Sequence, residues 1–345
     1  MKLLIPVASG MEQITKRQLQ KLGYDKAPAD NGRLQLEGDW QDIAKLNVFL
    51  RSGERVLIQL SQFHATTFDE LYEGFYSIPW EDWLTVESKI LMDGKSVQSQ
   101  LGAIKACGGV AKKAIISRLA DKIRTGRKTF AETGARSIVG FSIFKDEVTV
   151  TLDTSGEGLH KRGYRSLAYS APLKETLASA LIDSTFYNPD KDMEKPFADP
   201  FCGSGTLPIE GARKALHIPP GLDRDFDFAK WACAPKGVLE ESKAEGRGRN
   251  FKKRQAEYLG KRHQSRSHFH CQIPRQTCRG GQVYPLLGWK CGRLFKQGKV
   301  WHSSLQSPLW GTAFRGKGSA SAHACVWENF PRFARLECLY FNLSS

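Results

Sequence analysis

Along the first 150 residues the apolar positions alternate between two periods. Lys2–Val7 is a short apolar run of strand character. Gly10–Gly23 follows with Met11, Ile14, Leu19 and Leu22 at helical spacing and Gly23 as a C-cap. Gly32–Glu37 alternates as a strand does, Trp40–Phe49 returns to the helical period, and Arg55–Leu60 reads as a further strand. This strand–helix–strand–helix–strand order predicts a small ferredoxin-like unit over residues 1–60. On these residues alone it reads as a scaffold, with RNA docking the alternative.

Residues 61–165 form a second pattern. Thr67–Leu84 is helical with a break at Ile78-Pro79, and Lys89–Asp93 has strand character. Val110–Ile123 is an amphipathic helix: Val110, Ala114, Ile115, Ile116 and Leu119 face inward, and Lys112, Lys113, Arg118 and Lys122 outward. Arg124, Arg127 and Lys128 carry the positive charge past its end, and Lys95 stands upstream. Ser137–Ile143 and Glu147–Leu152 predict a hairpin turning at Lys145-Asp146. The glycines of Asp153–Arg165 mark a loop bearing His160, Lys161, Arg162 and Arg165. These cations suit phosphate contact, and a solvated face explains the helical ones equally well. His160 reads as a catalytic base or, more simply, as a linker histidine touching backbone or RNA.

Residues 166–260 open a third unit. Ala171–Ile182 is helical, Asp183–Glu194 is a polar loop, and Phe197–Thr206 (FADPFCGSGT) reads as a strand running into a glycine turn before a helix, Leu207–Leu216. Glycines there let backbone N–H groups approach a ligand, and a helix N-terminus favours negative charge. Phe226, Phe228 and Trp231 lie in the next loop, where core packing competes with base stacking and wins. Pro235–Tyr258 is a charged helix, expected to cover a sheet.

Composition changes the picture at the C-terminus. The 345 residues carry a net charge of +15, yet residues 261–345 hold thirteen Lys and Arg against two acids, Glu328 and Glu337. The same stretch holds five of the eight Cys, five of the eight His and no Asp. His268, His270, Cys271, Cys278 and Cys291 do not meet zinc spacing, so no metal is expected. No apolar run suits a bilayer, and there is no leader pattern, so no membrane partner is expected and the cytosol is the default.

Asp199-Pro200-Phe201-Cys202-Gly203-Ser204-Gly205-Thr206 resembles the first motif of class I S-adenosylmethionine-dependent methyltransferases, in the Asp-Pro-Phe form of the branch that methylates RNA guanine. TTFDELYE, GKSVQSQL, VAKKAIISRL, DTSGEGLHKRGYR and APLKETLASALI, in this order, resemble the bacterial THUMP-domain RNA methyltransferases that install N2-methylguanosine in large-subunit ribosomal RNA. The resemblance covers about residues 1–260. It implies a mixed α/β fold: the ferredoxin-like unit and a THUMP domain, followed by a truncated Rossmann-like methyltransferase domain. It implies S-adenosylmethionine as cofactor, bound by Asp199–Thr206 and by Pro172 and Lys174 of the helix that packs beside it. Ribosomal RNA is the implied partner, and Cys202 is then small and buried rather than nucleophilic. A thiouridine synthase lacks support, because no S-G-G-x-D-S pattern occurs; a dehydrogenase lacks the third glycine and a following acid.

In the family an acidic residue ending the second strand holds the cofactor ribose, and an Asn-Pro-Pro-Tyr motif holds the guanine amine. Neither stands in this chain. Read one base later, however, Arg262–Gln272 gives D-I-N-P-V-A-I-S-I-A-K, and Gln306–Gly311 gives N-P-P-Y-G-E. Gly288–Gln297 and Trp327–Cys338 read sensibly in the same frame. A frameshift near Leu259–Lys261 is therefore expected, with 261–345 an aberrant, poorly ordered tail. No catalytic residue is assigned. The chain as it stands is expected to bind RNA without methylating it and to hold cofactor weakly or not at all.

Overall fold

The strand β1 (Lys2–Pro6) buries Leu3, Leu4 and Ile5 in succession, which suits a strand covered on both faces at the centre of a sheet. The computed structural model describes residues 1–248 apart from Asn31, 124–129, 165–172, Phe186, 191–198 and 200–203. Around β1 lie α1 (Glu12–Lys21), the two-residue β2 (Ala29–Asp30), β3 (Arg33–Glu37), α2 (Trp40–Phe49) and β4 (Leu57–His64). The helix α2 starts at a capping box: Asp39 accepts from the N–H of Asp42 at 3.0 Å, and Asp42 accepts from that of Asp39 at 2.9 Å. The expected ferredoxin-like pattern is present, with β2 added.

The second unit comprises α3 (Phe68–Tyr76), a short 3-10 turn (Trp80–Asp82), β5 (Lys89–Val97), α4 (Ile104–Ile123), β6 (Arg136–Phe144) and β7 (Glu147–Asp153). β5 and β6 are parallel, joined by α4 as the crossover, whereas β6 and β7 form the antiparallel hairpin. Its turn, Lys145-Asp146, is left-handed at both residues, with φ of 51° and 64°. The Asp146 carboxylate accepts from the Ser99 hydroxyl at 2.7 Å and the Gln100 N–H at 2.9 Å, which holds the turn.

Both units share one sheet of seven strands in the order β2-β3-β1-β4-β7-β6-β5. β4 crosses the expected boundary at residue 60. Leu57 and Ile58 pair with β1 on one side and β7 on the other. Phe75 of α3 centres the second half of the core, with Phe63, Phe141 and Trp80 at ring distances of 6.0, 6.3 and 6.2 Å. Gly94 leaves room for this: a Cβ there would lie 2.1 Å from the Phe141 ring.

From the third unit the described residues give α5 (Glu175–Ser184), α6 (Thr206–Ala215), a 3-10 turn (Asp227–Lys230) and α7 (Val238–Gly248). One expectation is corrected here. α5 begins at Glu175, because Lys174 is extended with ψ of 137°. α7 packs against α2 of the ferredoxin-like unit, where Gly246 approaches Phe49 and Pro219; the sheet it is expected to cover lies outside the described residues. Phe226, Phe228 and Trp231 are at most 5% exposed and join the common core, so none is available to stack on a base. The expected strand at 197–199 and the tail from 261 lie outside the described residues, Asp199 excepted.

Candidate cofactor and RNA-binding site

The glycine turn delivers the chain into α6 through Gly205, whose φ of +73° is left-handed and suits glycine. Gly205 is the N-cap residue and brings no side-chain acceptor. Backbone N–H groups at a helix start favour oxygen ligands and negative charge. The Ser204 and Thr206 hydroxyls lie 3.0 Å apart beside the turn. Asp199 is half-buried. This arrangement fits the methionine end of a nucleoside cofactor: a left-handed glycine that admits close backbone approach, a helix start without a side-chain cap, and the carboxylate of Asp199 in the same motif. Pro200, Phe201, Cys202 and Gly203 lie outside the described residues, as does Pro172.

Lys174 is exposed, and its ammonium faces Glu54 of the ferredoxin-like unit at 3.4 Å. Glu54 also accepts from the Thr176 hydroxyl at 2.7 Å and lies 3.8 Å from His160 Nδ1. The start of α5 is thus tied across the domain junction. Burial pushes the His160 imidazole below its ordinary value, against the pull of Glu54.

Behind α6 sits a buried charge cluster that periodicity does not reveal. Glu210 accepts from the Ser179 hydroxyl at 2.7 Å and the Tyr164 hydroxyl at 3.1 Å, with Arg162 Nε at 3.7 Å. Burial works to raise its carboxyl, but Arg162, Arg213 and Arg51 outweigh burial and hold it below the usual carboxylate range. Arg51 reaches from the ferredoxin-like unit to the Ile218 carbonyl at 2.7 Å, and Arg213 donates to that of Pro219 at 3.0 Å. Burial lowers the Arg51 guanidinium to about 10, still charged at neutral pH. Glu210 and Arg213 are one turn apart on the buried face of α6, the one sequence signal that could have found them.

The expected RNA contacts divide. Arg162 is 3% exposed and donates to the carbonyls of Leu159, at 2.6 Å, and Arg51. It is a bolt of the junction and not an RNA contact. Arg118 faces inward, paired with Glu81 at 2.7 and 3.0 Å through two N–H groups and lying over the Tyr76 ring. Lys112 is half-buried against Glu132 at 2.5 Å. Both are spent on carboxylates, because α4 turns that flank toward the 3-10 turn and the 130s loop. Lys95, Lys113 and Lys122 stand exposed. Lys161 is exposed and pairs with Glu157 at 3.2 Å. Arg124, Arg127, Lys128 and Arg165 lie outside the described residues. Among the described residues no cluster of His, Cys, Asp or Glu could hold a metal, and no helix is long and apolar enough to cross a membrane.

Three family models match in chain order: the RlmL ferredoxin-like domain over residues 2–57, the THUMP domain over 65–153, and the RMKL-like methyltransferase domain over 162–269. The chain therefore carries a ferredoxin-like domain and a THUMP domain ahead of a class I methyltransferase domain. Its three domains, in this order, are similar to those of the ribosomal RNA large subunit methyltransferases K/L.

The K/L enzyme of Magnetococcus marinus is 34% identical over 234 residues, 68% of this chain and 32% of that protein. YpsC of Bacillus subtilis, whose name proposes an RNA methyltransferase, is 40% identical over 245 residues, 70% of this chain and 62% of that one. The chain thus spans less than two thirds of the length of these relatives. Among solved structures, a Listeria monocytogenes protein described as a predicted N6-adenine-specific DNA methylase superposes with TM-score 0.67 at 44% identity, covering 72% of this chain and 63% of its own. SMU.472, solved with SAH bound, superposes with TM-score 0.67 at 35% identity, covering 72% and 64%.

Proposed function

We propose that this protein methylates RNA from S-adenosylmethionine, with guanine N2 of 23S ribosomal RNA as target, in the cytosol. The observation that carries the reading is the order of ferredoxin-like unit, THUMP domain and methyltransferase domain in one chain, with Gly205 opening α6 at the cofactor motif. The THUMP domain argues for RNA over the DNA of the Listeria description. The comparisons support the enzyme over a non-catalytic RNA-binding remnant.

The cofactor supplies an activated methyl group on sulfur. The Gly205 turn and the α6 N-terminus would hold its methionine end, with Asp199 beside them. Around that seat the Glu210 cluster and the Glu54–Thr176 bond keep α5 and α6 in a fixed relation. Guanine N2 is a weak nucleophile, so acceleration rests on placing the amine in line with the methyl group, with the base out of its stack. In the family that placement falls to Asn-Pro-Pro-Tyr, which this sequence yields only in the shifted frame after about Lys261.

The test is transfer of labelled methyl from S-adenosylmethionine to unmodified 23S RNA, by the chain as encoded and by the same gene with the reading frame shifted one base at codons 259–261. Transfer by the chain as encoded supports the proposal for this protein; transfer by the frame-shifted gene product alone establishes the family activity and the frameshift and makes the encoded chain the non-catalytic remnant. Transfer by neither overturns the proposal.

A further inference from the structure

Between the loop 157–163 and the loop 223–230 lies a cavity of about 800 Å³. Arg136, Lys161, Arg162, Lys174, Arg224 and Lys230 line it, together with His160. It therefore opens where the end of the THUMP sheet meets the start of α5, on the cofactor side of the junction.

Carboxylates line it too, but the inner ones are engaged. Asp227 accepts two bonds from Arg136, at 2.7 and 3.2 Å. Glu157 takes Lys161 at 3.2 Å. Asp223 and Asp225 are exposed to water, and Asp225 lies 3.7 Å from the Lys243 ammonium.

Arg224 is different. It is 7% exposed, its Nη2 donates to the Glu157 carbonyl at 2.7 Å, and its guanidinium lies 5.1 Å over the Phe226 ring. Its Nη1 is buried and has no acceptor. Burial and then the neighbouring Arg162 push the group down to about 10, so it stays charged at neutral pH. A buried guanidinium with an unmet N–H group is costly to keep, and an anionic oxygen would satisfy it. The ring beneath fixes the plane of the fork.

We propose that this cavity seats a backbone phosphate of the RNA, with Arg224 as the buried anchor and Lys230, exposed at the end of its loop, as the guide. The inference rests on the RNA-methyltransferase reading. The seat adjoins Leu173–Glu175, so it would grip the strand beside the nucleotide presented to the cofactor. No sequence pattern marks it: Arg224 and Lys230 are isolated cations in a loop whose clearest signal is its aromatic residues.

The experiment measures binding of a 23S RNA transcript to the full chain across a series of KCl concentrations. Wild type, Arg224→Gln, Lys230→Gln and, as a positive reference on the THUMP face whose slope should also fall, Lys113→Gln are compared. Removing one phosphate-binding cation should lower the slope of log affinity against log salt by about 1. Arg224→Gln and Lys230→Gln are both expected to show it. Lys230 is exposed, so its variant stays folded and decides the matter if Arg224→Gln unfolds. Wild-type binding with an unchanged slope in Lys230→Gln overturns the seat and leaves the RNA reading standing. No RNA binding by wild type overturns both. Thermal protection of wild type by inorganic phosphate at constant ionic strength, with unaltered RNA slopes in the variants, assigns the cavity to free phosphate and also overturns the proposal.

Discussion

The Thr176 hydroxyl donates to the Glu54 carboxylate at 2.7 Å, joining the first turn of α5 to the loop before β4. Thr176 is 1% exposed, so the bond is shielded from competing water. Removing the acceptor in Glu54→Ala should cost roughly 1.5–3 kcal/mol of stability, as for hydrogen bonds to a charged group. It should also weaken cofactor binding by loosening the start of α5. Glu54→Gln keeps an acceptor for Thr176 and should cost less. Calorimetric titration with S-adenosylhomocysteine checks both; equal affinities in all three proteins would disprove the coupling.

Glu210 is the carboxylate set among the arginines Arg51, Arg162 and Arg213. Glu210→Gln leaves their charges uncompensated in a buried place. The expected loss is about 3–5 kcal/mol, the range for breaking one partner of a buried ion pair. Urea denaturation read by tryptophan fluorescence measures it, and a shift below about 1 kcal/mol would mean the cluster is well hydrated.

His160 titrates below its ordinary value in the folded protein because of burial. Between that lowered value and the unfolded one near 6.5 the unfolded chain carries the extra proton. Stability therefore rises with pH through this window and falls on acidification. Glu54 opposes the shift, while Lys174, Lys161 and Arg224 add to it. His160→Gln should flatten the urea midpoint between pH 7.5 and 5.5. An equally steep profile in the variant would assign the dependence elsewhere.

Lys113 and Arg118 allow RNA contact and structure to be tested separately on one helix. Lys113→Gln should reduce RNA affinity and its salt slope with no change in melting temperature. Arg118→Gln breaks the doubly bonded pair with Glu81 and should lower the melting temperature with no change in slope. Filter binding and thermal melts on the same preparations tell the two apart.

Gly205→Ala places a Cβ on a left-handed residue and should cost about 1–2 kcal/mol. It also crowds the approach to the α6 N-terminus. Binding of S-adenosylhomocysteine should fall at least tenfold, and unchanged affinity would show that the turn does not meet the cofactor.

Much of this architecture is written in residue order, and the exceptions have physical causes. Thr67 and Glu70 announce the start of α3, where each side chain meets the other's backbone N–H. Lys145-Asp146 announces its hairpin. β5 runs to Val97, past the expected Asp93, because its later inward positions are Gly94 and Ser96: burial alternates to the end of the strand, but without apolar residues to signal it. α4 starts at Ile104, ahead of Gly108 and Gly109, which read as breakers; Gly108 is buried, and a Cβ there would lie 3.6 Å from Met92. The cofactor turn is legible because glycine and helix start are local signals. The buried arginines are not, because a lone Arg162 or Arg213 looks like solvated surface until residues 51 and 210 meet it across the junction.

The strand β4 hydrogen-bonds at once to the first unit through β1 and to the second through β7. Pulling either unit away would break a ladder inside a continuous sheet, so there is no hinge between them. The two should melt as one cooperative block, and a THUMP piece cut at residue 60 would carry half a strand and an open edge. On the proposed function, RNA gripped at the far rim near Lys95 would be held by the same rigid lever that carries Arg51 into the back of helix α6.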